Sequence, residues 1–190
     1  FFRTFASSTN LMSRSRCYLH RTKTVTFHRM KKILLKRKSI FFISTLVILI
    51  DQLSKLLVIQ LLKSQQSITL IPQLINLRLV QNTGAAFSLF ENKTPFLGFL
   101  SLCVTIGLGM WIWKSKPLPL LRGLSFSFLL GGCVGNGLDR WRLGYVNDFL
   151  ELTNINFPIF NGADVAINIA VFCLVIETVT KQNSHHHQTY

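Results

Sequence analysis

Apolar residues along the chain gather into four long segments that are separated by polar loops. The segments cover roughly residues 39–62, 94–113, 118–138 and 163–180. Each is close to the length of about 20 residues with which an apolar helix crosses a bilayer. The first segment has no small-residue cleavage site and continues too far to be a cleaved leader. The pattern therefore predicts an all-α integral membrane protein with four transmembrane helices.

The loop between the first two segments has a different pattern. Residues 67–80, SITLIPQLINLRLV, alternate apolar and polar positions, and the turn-forming Asn82-Thr83-Gly84 follows them. Such alternation next to a turn is typical of short strands. We therefore expect a small extracytoplasmic β element between helices 1 and 2.

The charge of the chain is uneven along its length. The formal net charge is +14, but the hydrophobic fraction is 49% and the charged fraction only 15%. Eleven of the 21 Lys and Arg residues lie in residues 1–38, and no acid precedes Asp51. A basic leader before an apolar run follows the positive-inside rule and argues against nucleic-acid binding. The leader, the 114–122 loop and the tail at Lys181 are therefore expected in the cytoplasm.

This pattern divides the chain into three parts. Residues 1–29 are rich in Arg, Ser and Thr, and Met30 followed by two lysines looks like a start. We expect 1–29 to be a basic N-terminal extension that is disordered or removed, 30–181 to be the membrane domain, and 182–190 to be a polar tail. The His triplet of the tail is interpreted as a solvated end, with a metal site as the alternative.

The chain has four aspartates, and each falls in or beside a predicted helix on its outer half. They are Asp51, Asp139, Asp148 and Asp164. Ionisable groups at one depth of a membrane protein are costly unless they face a cavity or have partners. This gathering of acids predicts a functional site.

Three of the four acids also have a structural interpretation. Asp51 and Lys55 are separated by four residues on one helix, so they can neutralise each other. Asp139 precedes Arg140, with which it can form an ion pair. Asn161 and Asp164 resemble a helix N-cap and its partner three residues on. No local partner is evident for Asp148.

Other hydrolytic sites do not fit the sequence. The chain has no HExxH motif, and no His lies between residues 29 and 184, which excludes a histidine-based triad in the membrane domain. Ser54 and Lys55 are adjacent on a predicted helix and so do not face each other. Carboxylates remain as the candidate catalytic groups.

Four motifs in order resemble those of the lipoprotein signal peptidases (signal peptidase II). The first is Asp51-Gln52-Leu53-Ser54-Lys55, and the second is Asn82-Thr83-Gly84-Ala85-Ala86-Phe87-Ser88. The third is GGCVGNGLDR (131–140) followed by Gly144-Tyr145-Val146-Asn147-Asp148-Phe149, and the fourth is Phe160-Asn161-Gly162-Ala163-Asp164. The resemblance covers about residues 40–180. It implies an aspartic endopeptidase that cleaves diacylglyceryl-modified prolipoproteins before the lipidated Cys.

The resemblance also implies the site residues. Asp148 and Asp164 are expected to be the catalytic pair, because two close carboxylates can share a proton and serve as base and acid. The expected substrate-binding or supporting residues are Asp51, Lys55, Asn82, Gly84, Asn136, Asp139, Arg140 and Asn161. No metal or other cofactor is expected.

The same resemblance implies a setting for the enzyme. We expect a monomer in the bacterial cytoplasmic (inner) membrane, with both termini cytoplasmic and the active site at the outer leaflet. Its partners would be lipid-modified prolipoproteins and membrane lipid, not nucleic acid. A small ion-coupled transporter and a purely structural membrane subunit are the alternatives, since intramembrane acids also occur in transporters.

Overall fold

The computed structural model of the chain describes residues 33–62, 67–84 and 90–186. Within these ranges four helices are present: α1 (Arg37–Leu61), α2 (Thr94–Lys114), α3 (Leu120–Leu143) and α4 (Gly162–His186). All four coincide with the predicted segments, so the mainly helical fold is confirmed. Residues 1–29 lie outside the described residues, and so do the side chains of the His triplet. The predictions for these two parts of the chain stay predictions.

The outer surfaces of three helices are suited to lipid. Among the described residues α1, α2 and α4 are long and apolar enough to cross a membrane. Large apolar side chains are exposed on them, for example Leu53, Phe99 and Phe172, whose exposed fractions are 56%, 64% and 65%. An apolar surface of this kind has no stable place in water. These three helices therefore fit the predicted membrane domain.

The third helix differs because it lies between the others. It packs against α1, α2 and α4. Its buried residues are mostly small or polar, including Ser125, Ser127, Asn136 and Asp139. A helix that is enclosed by protein needs less apolar surface than one that faces lipid. The crossing of the membrane by α3 stays a prediction.

The described strands form two small antiparallel sheets. The strands are β1 (Leu34–Leu35), β2 (Ile68–Ile71), β3 (Ile75–Asn82), β4 (Leu118–Pro119) and β5 (Val146–Leu152). The larger sheet has the order β2-β3-β5, and the two-residue strands β1 and β4 join the start of α1 to the α2–α3 connection. Strands β2 and β3 confirm the β element that was predicted between helices 1 and 2.

Strand β5 corrects one prediction. The predicted segments 118–138 and 163–180 left Asp148 in the loop between them, but it lies on β5 and pairs in register with Val80 of β3. The first four residues of β5 are all buried. A strand that is buried on both faces has no alternation of polar and apolar residues, so the pattern gave no signal.

The end of α3 corrects a second prediction. The helix was expected to end near residue 138, with Asp139 as its last residue. It continues to Leu143 and stops at Gly144, which has φ of +81° and closes a hydrogen bond from its N–H to Arg140 O. Glycine adopts this left-handed conformation without steric cost. Asp139 therefore lies within the helix, one turn from the end.

An apolar cluster fixes the larger sheet to the helices. Val58 and Leu62, at the end of α1, pack against Leu77 of β3 and Phe149 of β5. The sheet therefore lies at the end of the bundle where α1 and α3 finish and α4 begins. All four aspartates lie at this end.

Candidate active site

A buried ion cluster joins α1 to α3. Lys55 Nζ lies 2.8 Å from Asp51 Oδ2 and 3.0 Å from Asp139 Oδ2. The same ammonium donates to Asn136 Oδ1 at 3.3 Å. The pairing of Asp51 with Lys55 is as predicted. The predicted ion pair of Asp139 with Arg140 is wrong, because a tertiary contact gives Asp139 the Lys55 partner.

The two carboxylates of this cluster also accept backbone hydrogen bonds from neighbouring elements. Asp51 Oδ1 accepts one from Ala163 N at 2.8 Å, in the first turn of α4. Asp139 Oδ2 accepts one from Asn147 N at 3.1 Å, directly before Asp148 on β5. A carboxylate at a helix N-terminus satisfies an N–H that has no partner within the helix. The cluster thus fixes α4 and β5 against α1 and α3.

Sequence reasoning missed Gln52 as a member of this cluster. Gln52 Nε2 is within hydrogen-bond distance of Asp51 Oδ2 at 3.2 Å, Gly135 O at 3.2 Å and Asp139 Oδ1 at 3.1 Å. Adjacent residues on a helix do not usually share a partner. The available signal was a polar amide within an apolar segment, which is costly without a partner.

Asp164 lies in the first turn of α4 and forms a reciprocal cap with Asn161. Asn161 Oδ1 accepts a hydrogen bond from Asp164 N, and Asp164 Oδ2 accepts one from Asn161 N, both at 3.1 Å. This geometry confirms the predicted N-cap. Asp164 Oδ1 accepts a further bond from Asn136 Nδ2 at 2.8 Å. The carboxylate is therefore held by both α4 and α3.

Asp148 is held by amide donors from two elements. Asn82 Nδ2, at the end of β3, donates to Asp148 Oδ2 at 2.8 Å, and Asn161 Nδ2 donates to Oδ1 at 2.5 Å. Asn161 Nδ2 also donates to Asn136 Oδ1 at 3.0 Å. Asn161 and Asn136 thus connect Asp148 to Asp164 through hydrogen bonds.

The surroundings of Asp148 change its acidity. Its side chain is almost fully buried. Burial raises the pKa of Asp148 to about 6, the hydrogen bond from Asn82 opposes this shift, and the nearby charge of Asp164 adds to it. Asp148 can therefore hold or release a proton near neutral pH.

Arg140 connects α3 to the loop that follows β3. Its Nη2 donates to Gly84 O at 2.9 Å, and Gly84 N donates to Asn82 Oδ1 at 2.8 Å. This turn orients the Asn82 amide so that its NH₂ group meets Asp148. The buried Nε of Arg140 has no hydrogen-bond partner in the described residues. Residues 85–88 of the same motif lie outside the described ranges.

Six of the ten predicted site residues line a cavity of about 1240 Å³, namely Asn82, Gly84, Asn136, Arg140, Asp148 and Asp164. Asp51, Lys55, Asp139 and Asn161 are buried. Their hydrogen bonds hold Asn136, Asp148 and Asp164, either directly or through the adjacent backbone. Apolar side chains of α4 and of the segment after β5, such as Phe157 and Phe172, line the rest. No group of three or more His, Cys, Asp or Glu in the described residues is arranged to hold a metal ion.

The chain is similar to known proteins over most of its length. A family model described as "Signal peptidase (SPase) II" matches residues 43–180. A lipoprotein signal peptidase of Parasynechococcus marenigrum is 49% identical over 154 residues, which cover 81% of this chain and 97% of that protein. A lipoprotein signal peptidase of a Synechococcus species is 50% identical over 137 residues, which cover 72% of this chain and 91% of that protein.

The fold is also similar to a solved structure. A bacterial membrane enzyme determined by the in meso method superposes with a TM-score of 0.72 at 28% sequence identity. The match covers 81% of this chain and 95% of that enzyme. With the family model and the close relatives, this shows that the chain belongs to the signal peptidase II family of proteases.

Proposed function

We propose that this chain is an aspartic endopeptidase that removes the signal peptide from diacylglyceryl-modified prolipoproteins by cleaving before the lipidated Cys. The names of its relatives and its family support the substrate class. One observation carries the mechanism: Asp148 and Asp164 line the same cavity and are connected through Asn161 and Asn136. Membership of a protease family also favours hydrolysis over ion transport.

The proposed reaction uses one proton that the two carboxylates share. The ionised member takes a proton from a water molecule, which attacks the scissile carbonyl carbon. The protonated member gives its proton to the leaving amide nitrogen. Asp148 fits a role that requires a proton, since its pKa is raised to about 6. Arg140 and the amides of Asn82 and Asn136, which line the cavity, would stabilise the negative charge that develops on the carbonyl oxygen.

The remaining predicted residues have positioning roles in this proposal. Asp51 holds the first turn of α4, which carries Asp164, through Ala163 N. Asp139 holds the β5 backbone at Asn147, beside Asp148. Lys55 forms ion pairs with both positioning carboxylates, and Gly84 orients Asn82.

The proposal includes the setting of the enzyme. The membrane domain would begin near Met30 and act as a monomer in the bacterial inner membrane. Both termini would be cytoplasmic, and the carboxylates would lie at the outer leaflet. A substrate whose signal helix lies in the bilayer would then present its lipidated Cys at the level of Asp148 and Asp164.

Substitution of Asp164 by Asn tests the mechanism, because Asn keeps the side-chain volume and one acceptor oxygen. We expect purified Asp164→Asn to fold and to bind a lipidated prolipoprotein, but to cleave it at least about a thousandfold more slowly. Asp148→Asn should behave in the same way. The double variant should be scarcely worse than either single one, because the two groups act as a unit.

The matched control is Glu151→Gln, an acid-to-amide change on β5. Glu151 forms a surface pair with Arg78 and does not line the cavity. The Glu151→Gln variant should cleave the substrate at close to the wild-type rate. Near-normal turnover by Asp164→Asn would mean that Asp164 acts only as a helix cap, and it would overturn the proposed catalytic pair. A wild-type chain that cannot cleave the lipidated substrate would overturn the function itself.

A further inference from the structure

The candidate active-site cavity extends well beyond the carboxylates, along α4. Asp164 and Phe172 both line it, and they are eight residues apart on this helix. At 1.5 Å per residue, the cavity therefore spans about 12 Å of the helix axis. Its wall there is apolar, with Val165, Ile169 and Phe172. These side chains are exposed on the helix surface, with exposed fractions of 38%, 39% and 65%. This open apolar part therefore suits acyl chains better than it suits a polar peptide.

Two polar side chains of the cavity lining come from two different helices. Ser101 of α2 and Asn168 of α4 both line the cavity. Asn168 lies one turn beyond Asp164, about 6 Å along the axis. It belongs to a helix apolar enough to cross a membrane. A polar amide at such a position is costly unless it has a partner.

Both side chains have hydrogen-bonding capacity that the described residues do not use. Buried serines of the helices donate to backbone carbonyls, as Ser125 does to Ala170 O and Ser127 to Gly123 O, at 2.8 and 2.7 Å. The Ser101 hydroxyl has no such bond within the described ranges. Asn168 Nδ2 donates once, to Asp164 O at 2.9 Å. One N–H of its amide remains for a ligand.

The chemistry of these groups identifies a ligand. An ester carbonyl accepts hydrogen bonds and has no donor of its own, so in an apolar site it requires donors from the protein. A diacylglyceryl group joins two such esters to acyl chains, only a few bonds from the Cys backbone. On the basis of the proposed function, we propose that Ser101 and Asn168 form a subsite that binds the acyl ester carbonyls of the lipidated substrate. The subsite would select substrates by their lipid linkage.

The test compares two prolipoprotein substrates that differ only in this linkage. One carries the diacyl ester and the other a dialkyl ether of equal chain length, which lacks the carbonyls. The wild-type kcat/KM should be roughly tenfold higher for the ester substrate. In the double variant Ser101→Ala/Asn168→Leu, kcat/KM for the ester substrate should fall to the value for the ether substrate, mainly through a higher KM. The kcat/KM for the ether substrate should be unchanged.

Two further variants separate this role from a structural one. Ser101→Thr keeps a hydroxyl and should keep the preference for the ester. Thr178→Val lies on α4 but does not line the cavity, so it should leave both substrates unaffected. Thermal unfolding in detergent checks that each variant is folded.

The outcomes distinguish the inference from the function. Equal kcat/KM values of the wild type for the two substrates would overturn the subsite and leave the peptidase intact. An equal loss on both substrates in the double variant would also overturn it, because the side chains would then serve the fold or the peptide. A wild type that cleaves neither substrate would overturn both.

Discussion

Among single residues, the four aspartates differ in the partners that surround their carboxylates. Lys55 lies within 3.0 Å of carboxylate oxygens of both Asp51 and Asp139, so its charge is already shared. Asp148 instead has amide partners, which are weaker than a cation at stabilising a buried charge. A protonated form of Asp148 is therefore accessible at a pH where surface aspartates are ionised.

The raised pKa of Asp148 predicts that the stability difference between Asp148→Asn and the wild type depends on pH. Because the pKa of Asp148 is raised from 3.8 to about 6, the folded chain keeps a proton in this window that the unfolded chain has released. The free energy of unfolding of the wild type therefore falls as pH rises from about 4 to about 6. Asn does not ionise. From pH 4 to pH 8 the variant should gain roughly 3 kcal/mol relative to the wild type.

Thermal unfolding in detergent at a series of pH values measures this gain. The variant also loses hydrogen bonds. This loss changes its free energy of unfolding by the same amount at every pH, so the pH dependence is unaffected. Glu151→Gln, on the same strand and at its half-exposed surface, is the control and should show no comparable rise. If the difference between Asp148→Asn and the wild type were constant across pH, burial would not be controlling this carboxyl group.

Residues that pair locally could be predicted from the sequence, and the others could not. Asp51 with Lys55, and Asn161 with Asp164, are separated by four and three residues, and helix geometry alone brings them together. The partners of Asp139 and Asp148 come from distant elements. No local rule assigns Lys55 to Asp139, so the adjacent Arg140 was the wrong partner.

Among the helices and strands, α3 controls how closely the elements carrying the aspartates can approach. A Cβ atom on Gly132 would lie 2.7 Å from Ala163 O of α4. A Cβ on Gly135 would lie 2.7 Å from Asp51 Oδ2. Both distances are too short for a carbon atom against oxygen. Gly132 therefore allows the contact between α3 and α4 on which the Asn136–Asp164 hydrogen bond depends, and Gly135 leaves room for the Asp51 carboxylate of α1.

Gly132→Ala should separate α4 from α3, because its Cβ meets rigid backbone rather than a movable side chain. We expect it to destabilise the fold by about 1–3 kcal/mol and to lower cleavage at least tenfold. Gly107→Ala on α2 is the matched control, since nothing lies within 4 Å of its Cβ. Cleavage and thermal unfolding of the two variants give the comparison. Equal behaviour would mean that the close approach of α3 and α4 is not required.

The helices were easier to predict than the strand that carries Asp148. Long apolar runs placed all four helices within a few residues of their starts. Strand β5 depends on pairing with β3, through contacts such as Val80 with Asp148. Its residues do not alternate because both faces are buried, and therefore only the tertiary structure distinguishes it from a loop.

Across the whole molecule, most of the exposed basic side chains among the described residues lie at the end of the helix bundle opposite the aspartates. Residues 36–38, Lys-Arg-Lys, lead into α1, and Lys114 ends α2. Arg37 Nη1 donates to Trp113 O at 3.1 Å, and its guanidinium lies 5.3 Å from the Trp113 ring centre. These contacts join the two basic stretches beside an aromatic side chain. Such an arrangement is typical of the cytoplasmic surface of a membrane protein.

Within the described ranges, the aspartate end has fewer exposed cations, namely Arg78, Lys93 and Arg142. This difference strengthens the predicted orientation. Arg78 of the sheet is paired with Glu151 at 3.0 Å, and Arg140 lies partly buried beside the cavity. Positive charge that is paired or buried contributes less to orientation than exposed lysines do. We therefore expect the aspartate end to face the outside of the cell.

Reporter fusions in a bacterial host test both the orientation and the role of α3. Fusions after Lys116 and Lys181 should report cytoplasm, and fusions at Lys93 and Thr153 should report the outside. Lys116 and Thr153 flank α3, which is less apolar than the other helices because protein surrounds it. Opposite signals at these two positions would establish α3 as a fourth crossing. If both reported the same side, α3 would not cross, and α4 would have to carry the chain between compartments in a three-span arrangement.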